Sequence, residues 1–270
     1  MTPDPDIQRI VYNNYHLAYR QLGYGPAILL AFHGIGQNSA CFLPLADTVG
    51  RQFTTYSFDL FFHGASPAPD SATGEFVLTK TDWTRIVSEF LKEKNISRFS
   101  VIGFSMGGKF ALATAEAFAD RIDQLILLAP DGITVSPWYR LATGTAVGRR
   151  LFRYFLQHML LFRRVGNTLA AVGLLDRSAL RFAQRTLATA EQRERVYRSW
   201  VGFRKLGVRL DILASLLNHH PVRTRFILGY FDRVLPADFV KPLTRRLYTY
   251  ELHMLKTGHH RLVEKAADVI

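Results

Sequence analysis

Gly103-Phe104-Ser105-Met106-Gly107-Gly108 places one serine between two glycines, directly after the apolar run 99–102 and directly before a helix-forming run, 109–119. A strand that turns sharply into a helix holds the residue at its tip in a strained conformation. This is tolerable only where the residues two before and two after carry no side chain. The spacing is that of a nucleophile elbow. Such a turn lifts the Ser105 hydroxyl out of the sheet and sets it at a helix N-terminus, where free backbone N–H groups stabilise negative charge. A phosphate loop of the P-loop type would need Gly-Lys followed by Ser or Thr, and here Gly108-Lys109 is followed by Phe110.

On either side of the elbow the chain alternates sheet-like and helix-like stretches. Residues 7–22 read as two short strands around a turn at Asn13-Asn14. Further apolar runs of strand length lie at 27–32, 54–58, 99–102, 124–128 and 224–228, with a weaker one at 248–254. Most are continuous rather than alternating, as parallel strands covered on both faces should be. The run 80–94 carries Trp83, Ile86, Val87, Phe90 and Leu91 at helical spacing. The expected fold class is therefore α/β: a doubly wound, mostly parallel sheet of about eight strands with right-handed crossovers. The rhythm breaks after Pro130, and residues 138–218 are helix-like with almost no strand signal. Residues 134–220 are expected as a helical lid inserted after the sixth strand, and residues 1–133 and 221–270 as the core.

The bulk composition suits this plan. At 270 residues, 48% hydrophobic and 21% charged, the chain can bury a large core without covalent staples. The single cysteine, Cys41, excludes an intramolecular disulfide, offers no metal framework and fits a reducing compartment; it is expected as a buried small apolar residue. The opening MTPDPDIQRI lacks the basic and apolar regions of an export signal, and no transmembrane helix is expected, so the expected location is cytoplasmic.

The formal charge of +12 is concentrated. Residues 134–220 hold fifteen Arg and Lys against four Asp and Glu, a net of +11 that leaves +1 for the rest of the chain. Two helices are expected there. One, 148–164, puts Phe152, Phe155, Leu156, Met159 and Phe162 along one face and its arginines on another; the other, 178–200, carries Arg181, Arg185, Arg193, Arg195 and Arg198. Arginine stems covering a solvated helix face would account for this pattern. So would attraction to an anionic partner: a phospholipid surface, an acyl group on an acidic carrier or an anionic substrate. Nucleic acid is not expected, because no recognition motif accompanies the charge.

A serine hydroxyl is inert alone, so Ser105 needs a histidine and an acid. Asp232 follows the run 224–228, at the C-terminal end of a strand where open α/β sheets build their sites. His259, in Gly258-His259-His260, follows the last strand in the same way. His260 is the adjacent candidate base, and Asp131, after the sixth strand, is the fallback acid. His33 and His63, beside glycines in loops, are expected to bond loop backbone, and His219-His220 to end a helix; no metal-ligand spacing stands out.

His33-Gly34 after the third strand, Asp59-Leu60-Phe61-Phe62-His63-Gly64-Ala65-Ser66 after the fourth, the elbow after the fifth, and the acid and histidine loops together resemble the α/β-hydrolase superfamily over essentially the whole chain. The resemblance implies Ser105 as nucleophile, His259 as base then acid and Asp232 as the residue orienting the imidazole. It implies an oxyanion hole from the backbone N–H groups of Ile35 and Met106. No cofactor and no metal are implied. The implied activity is cleavage of a small-molecule carboxylic ester or thioester with an apolar acyl part, through an acyl-enzyme. The same triad serves carbon–carbon bond hydrolases and perhydrolases. The expectation from a different class is a noncatalytic protein that holds a small apolar ligand or docks on a membrane surface.

Overall fold

The apolar runs become the strands of a single sheet. The computed structural model describes residues 6–69, 75–174 and 176–270; residues 1–5, part of the opening stretch considered for an export signal, lie outside them. Strands β1 (Ile7–Tyr12) and β2 (Tyr15–Leu22) form a hairpin whose turn holds Asn13 at a φ of +52°, a conformation that asparagine tolerates. There follow β3 (Ala27–Phe32), α1 (Leu43–Val49), β4 (Phe53–Phe58), α2 (Lys80–Glu93), β5 (Phe99–Phe104), α3 (Met106–Phe118) and β6 (Ile122–Leu128). After β6 the described residues form six helices: α4 (Pro137–Gly144), α5 (Ala146–Gln157), α6 (Met159–Ala171), α7 (Arg177–Thr186), α8 (Ala190–Gly202) and α9 (Leu210–His219). The chain then re-enters the sheet as β7 (Arg223–Gly229), and α10 (Lys241–Thr244), β8 (Glu251–Leu255) and α11 (Leu262–Ala266) complete it. The strand order is β1-β2-β4-β3-β5-β6-β7-β8. β1 and β2 are antiparallel, β2 runs antiparallel to β4, and the remaining pairings are parallel.

Why continuous apolar runs make strands here is visible in their parity. Successive side chains point to opposite faces, and the parallel registers keep like with like: Leu30 beside Val101, Val101 beside Leu125, Leu127 beside Phe226. These residues pack in a core with Trp83, Ile86, Phe90, Phe110 and Leu112 from α2 and α3. Their neighbours Leu29, Ala31, Ile102, Ile126 and Ile227 pack in a second core with Leu45 and Val49 of α1 and Leu262 and Val263 of α11. Both faces are dry, so both parities must be apolar. A capping box between Thr79 and Asp82 starts α2, and the Trp83 indole N–H donates to Thr114 Oγ1 at 2.9 Å, fastening α2 to α3.

Inside the insertion the helices differ from the expected two. The run 148–164 is broken at His158 (φ −107°, ψ 68°), where the chain turns from α5 into α6. The run 178–200 divides between α7 and α8, with the capping box Thr189/Gln192 restarting the helix. Phe152, Leu156, Met159 and Phe162 do share a side, packed against Val196, Tyr197 and Trp200 of α8. Among the described residues no helix is long and apolar enough to cross a membrane.

The loops at the C-terminal edge of the sheet are held by two buried histidines. His33 Nδ1–H donates to Gly34 O (2.7 Å) while its Nε2 accepts the Leu60 N–H (3.0 Å). His63 Nδ1–H donates to Phe61 O (3.0 Å) while its Nε2 accepts the Gly36 N–H (3.0 Å). The loop after β3 and the loop after β4 are thus tied twice. Asp59 adds a third tie, accepting from Ser39 N–H at 2.6 Å and Ala65 N–H at 2.7 Å. Gly64, at φ +52°, has to be glycine, since a Cβ there would lie 2.1 Å from Asp59 Oδ2. Cys41 is only partly buried; its Sγ–H donates to Gln37 Oε1 at 3.3 Å, and burial pushes its thiol up to about 12.

Each imidazole has one donor and one acceptor role and therefore has to be neutral. Burial pushes His33 down to about 4 and His63, next to His33 and Arg195, down to about 3. Below about pH 6.5 the unfolded chain takes up protons at these positions and the folded chain does not, so stability falls as pH falls. Between pH 7 and pH 5 the loss should be about 2 kcal/mol per histidine. Urea midpoints at the two pH values should show it, and His63→Gln, though less stable at pH 7, should lose about half as much on acidification as the wild type.

Candidate active site

The turn from β5 into α3 holds Ser105 at φ 52° and ψ −120°, positive φ in a residue with a side chain. The flanking glycines permit it: a Cβ on Gly107 would lie 1.9 Å from Phe32 O, and one on Gly103 would lie 2.6 Å from Gly107 O. Three backbone bonds fix the strained residue. Its N–H donates to Leu128 O (3.0 Å), and its carbonyl accepts from Gly108 N–H and Asp131 N–H (both 2.8 Å). The elbow is therefore braced against β6 and the loop that follows it.

Asp232 leaves β7 and His259 follows β8, both at the carboxyl edge of the sheet, and the structure brings them to Ser105. His259 Nδ1–H donates to Asp232 Oδ2 at 2.6 Å, so Nε2 is free to accept, and the Ser105 hydroxyl donates to it at 3.0 Å. The other oxygen of Asp232 accepts from Val234 N–H (2.8 Å) and Leu235 N–H (3.0 Å). Its side chain has no exposed surface. A carboxylate so surrounded by donors is held in one orientation. The His259 ring is buried against Phe104, 5.0 Å away, and Phe182, 5.6 Å away and edge-on, which shields it from bulk water.

The two fallback residues are elsewhere engaged. His260 faces Phe182, 5.4 Å between ring centres, and burial, with His259 and Arg185 nearby, pushes its pKa down. Asp131 pairs with Lys109 Nζ at 3.3 Å. Burial opposes the charge on Lys109, but Asp131 and Tyr139 outweigh it and hold the ammonium above its ordinary pKa. The same Nζ donates to Tyr139 Oη at 3.2 Å, and Tyr139 Oη–H donates to Trp200 O at 3.0 Å, so this charge links α3 to α4 and α8.

Ile35 borders the space in front of Ser105, and Met106 follows Ser105 at the start of α3. Gly34 N–H donates to Gln37 Oε1 (3.0 Å) and Gly36 N–H to His63 Nε2, which pins the loop on both sides of Ile35. The Ile35 amide between them has no hydrogen-bond acceptor among the described residues. Met106 is the first residue of α3, a position whose N–H has no partner within its helix. A cavity of about 260 Å3 opens on Ser105 and His259, with Ile35, Phe104, Phe182 and Val196 as its apolar wall. Arg185 of α7 and Arg195 of α8 also line it. Sequence reading placed these two on one expected helix, 178–200, with other arginines; the break between α7 and α8 singles them out, and no spacing rule signals it. Among the described residues no group of three or more His, Cys, Asp or Glu could hold a metal ion.

Comparison with known proteins places the chain in a family. Residues 27–266 match the family model described as alpha/beta hydrolase fold. The Mycobacterium tuberculosis protein Rv2715, itself uncharacterized, is 33% identical over 141 residues, 52% of this chain and 40% of that protein. The pimeloyl-[acyl-carrier protein] methyl ester esterase of Nitrosomonas europaea is 28% identical over 107 residues, 40% of this chain and 38% of the esterase. The chain thus spans about two fifths of the length of these curated relatives. The crystal structure of a hydrolase from Pseudomonas aeruginosa superimposes with a TM-score of 0.68 at 20% identity, covering 98% of this chain and 96% of that one. With the sheet, the elbow and the family match in agreement, the chain belongs to the alpha/beta hydrolase fold family.

Proposed function

We propose that the protein is a serine hydrolase that cleaves a carboxylic ester or thioester through an acyl-enzyme. The observation that carries this reading is the continuous relay from Ser105 Oγ to His259 Nε2 and from His259 Nδ1 to Asp232, at 3.0 and 2.6 Å. Ser105 Oγ attacks the substrate carbonyl carbon while His259 Nε2 takes its proton; Asp232 steadies the imidazolium that forms. The oxyanion is met by the Ile35 and Met106 amides, each such donor being worth about 3 kcal/mol in the transition state. The intermediate collapses, and the leaving alkoxide or thiolate takes the proton from His259. Water, deprotonated by the same nitrogen, then attacks the acyl-Ser105 ester and frees the acid and the serine. The likeness to a methyl ester esterase, partial as it is, supports ester chemistry.

The helical insertion, in this reading, is a lid that also meets an anionic membrane surface. Residues 137–174 contain six arginines and no Asp or Glu. Val147, Leu151 and Tyr154 form an exposed stripe on α5, and Leu161 and Val165 form one on α6 that Val172 extends at the C-terminal cap. Their inner faces are already packed on α8, so these two helices are apolar on both sides, with exposed Arg150, Arg163 and Arg164 beside the outer stripes. Apolar side chains interleaved with arginine suit the headgroup boundary of an anionic bilayer.

Turnover, unfolding and vesicle binding test these readings. Ser105→Ala should abolish both p-nitrophenyl ester hydrolysis and labelling by a fluorophosphonate. Asp232→Asn should lower kcat by about 10³- to 10⁴-fold through the wrong imidazole tautomer. Asp131→Asn should spare turnover and instead cost about 1–2 kcal/mol in urea unfolding, by leaving Lys109 unpaired. In co-sedimentation, the protein should bind phosphatidylglycerol vesicles and not phosphatidylcholine ones. Raising the salt to 1 M should release it, and Arg163→Glu with Arg164→Glu should weaken it by at least about tenfold.

A further inference from the structure

The wall of the cavity over Ser105 is electrically one-sided. It holds two guanidinium groups, Arg185 and Arg195, and no carboxylate. Asp232, the nearest acid, is sealed behind His259 with both oxygens committed to hydrogen bonds. Arg185 has no carboxylate partner among the described residues. It lines this cavity and also a second one of about 200 Å3 on the other side of His259 and His260, where Arg233 joins it. Arg195 is paired with Glu191 at 2.7 Å, but that carboxylate is 81% exposed. Such a solvent-facing pair is weakly held, so a ligand oxyanion in the cavity can replace it.

Arginines that only cover a helix surface turn their heads to water. These two head a cavity whose floor is the reactive hydroxyl. The positive field of Arg195 reaches inward far enough to help keep His33 and His63 neutral, and that of Arg185 acts likewise on His260. The same lining has an apolar part, at Ile35, Phe104, Phe182 and Val196. A ligand matching both kinds of surface has a short apolar portion and one oxyanion that accepts paired N–H donors from a guanidinium fork.

We propose that the cleft selects esters bearing a carboxylate or phosphate, gripped by Arg185 and Arg195 while the scissile carbonyl lies at Ser105. This rests on the serine hydrolase reading and supplies its substrate class. The anion can stand on the acyl side or on the alcohol side of the ester, and the test separates the two.

Three substrates are compared by kcat/KM: p-nitrophenyl butyrate, which is neutral; mono-p-nitrophenyl succinate, with its carboxylate on the acyl side; and 4-butyryloxyphenyl phosphate, with its anion on the alcohol side. The wild type should favour one charged ester at least about tenfold over the neutral one, and which ester it favours assigns the side. Arg185→Gln and Arg195→Gln should each cut that ratio by about 10- to 100-fold, the range for a lost charge-assisted hydrogen bond. Arg185→Lys should recover part of it as a point charge. A wild-type ratio near one for both charged esters, or a ratio unmoved by both Gln variants, overturns the proposal. Two controls separate it from the reading beneath it. Fluorophosphonate labelling of Ser105 with no charge preference leaves a hydrolase without this subsite. Calorimetric binding of butylphosphonate to Ser105→Ala, weakened at least tenfold by adding Arg185→Gln, upholds the subsite even where labelling fails.

Discussion

Everything at the carboxyl edge of the sheet depends on one strained peptide. Ser105 adopts a backbone conformation that costs on the order of 1–3 kcal/mol in a residue with a side chain. The cost is offset by three backbone hydrogen bonds and by the close approach of Gly107 to Phe32 O, which no other residue type would allow. Because two of those bonds run to Leu128 and Asp131, the elbow is a joint between β5, β6 and α3 rather than a loop tip. The same joint sets where the hydroxyl stands, where the first amide of α3 stands, and hence where the other strands' loops must deliver Asp232 and His259.

A second constraint is the neutrality of the ground around the site. Two buried imidazoles, a carboxylate satisfied by backbone amides and a buried ammonium paired with Asp131 are each closed systems. None offers spare charge to the cavity. The arginines of α7 and α8 are therefore the dominant field there, in a molecule whose excess charge sits almost wholly in the insertion. Charge placement and helix placement are one feature: the helices between β6 and β7 bring both the cover and the field.

The sheet was legible in the sequence because strands dry on both faces need unbroken apolar runs, and the elbow because glycine alone fits its close contacts. Asp232 and His259 were legible because strand ends are where an open sheet places reactive groups. The breaks within the insertion were not: His158 interrupts a run whose Phe, Leu and Arg keep helical spacing with no glycine or proline to mark an end. Nor were the partners of His63 and Lys109, since Gly36 and Asp131 lie 27 and 22 residues away in sequence and meet them only through the sheet. Cys41, read as a core filler, is instead a donor to the glutamine that steadies the loop at Gly34. Side-chain ties between loops leave no periodicity to read.

The suppressed thiol has a practical side. With its pKa pushed up to about 12, Cys41 exists almost wholly as the unreactive S–H form at neutral pH. An alkylating reagent should react with it slowly. A cysteine introduced on an exposed helix, at Leu160 or Val147 for instance, should take a fluorophore or spin label ahead of the native one. The helices over the cleft can thus be watched directly, in solution or on vesicles, in a protein otherwise unaltered.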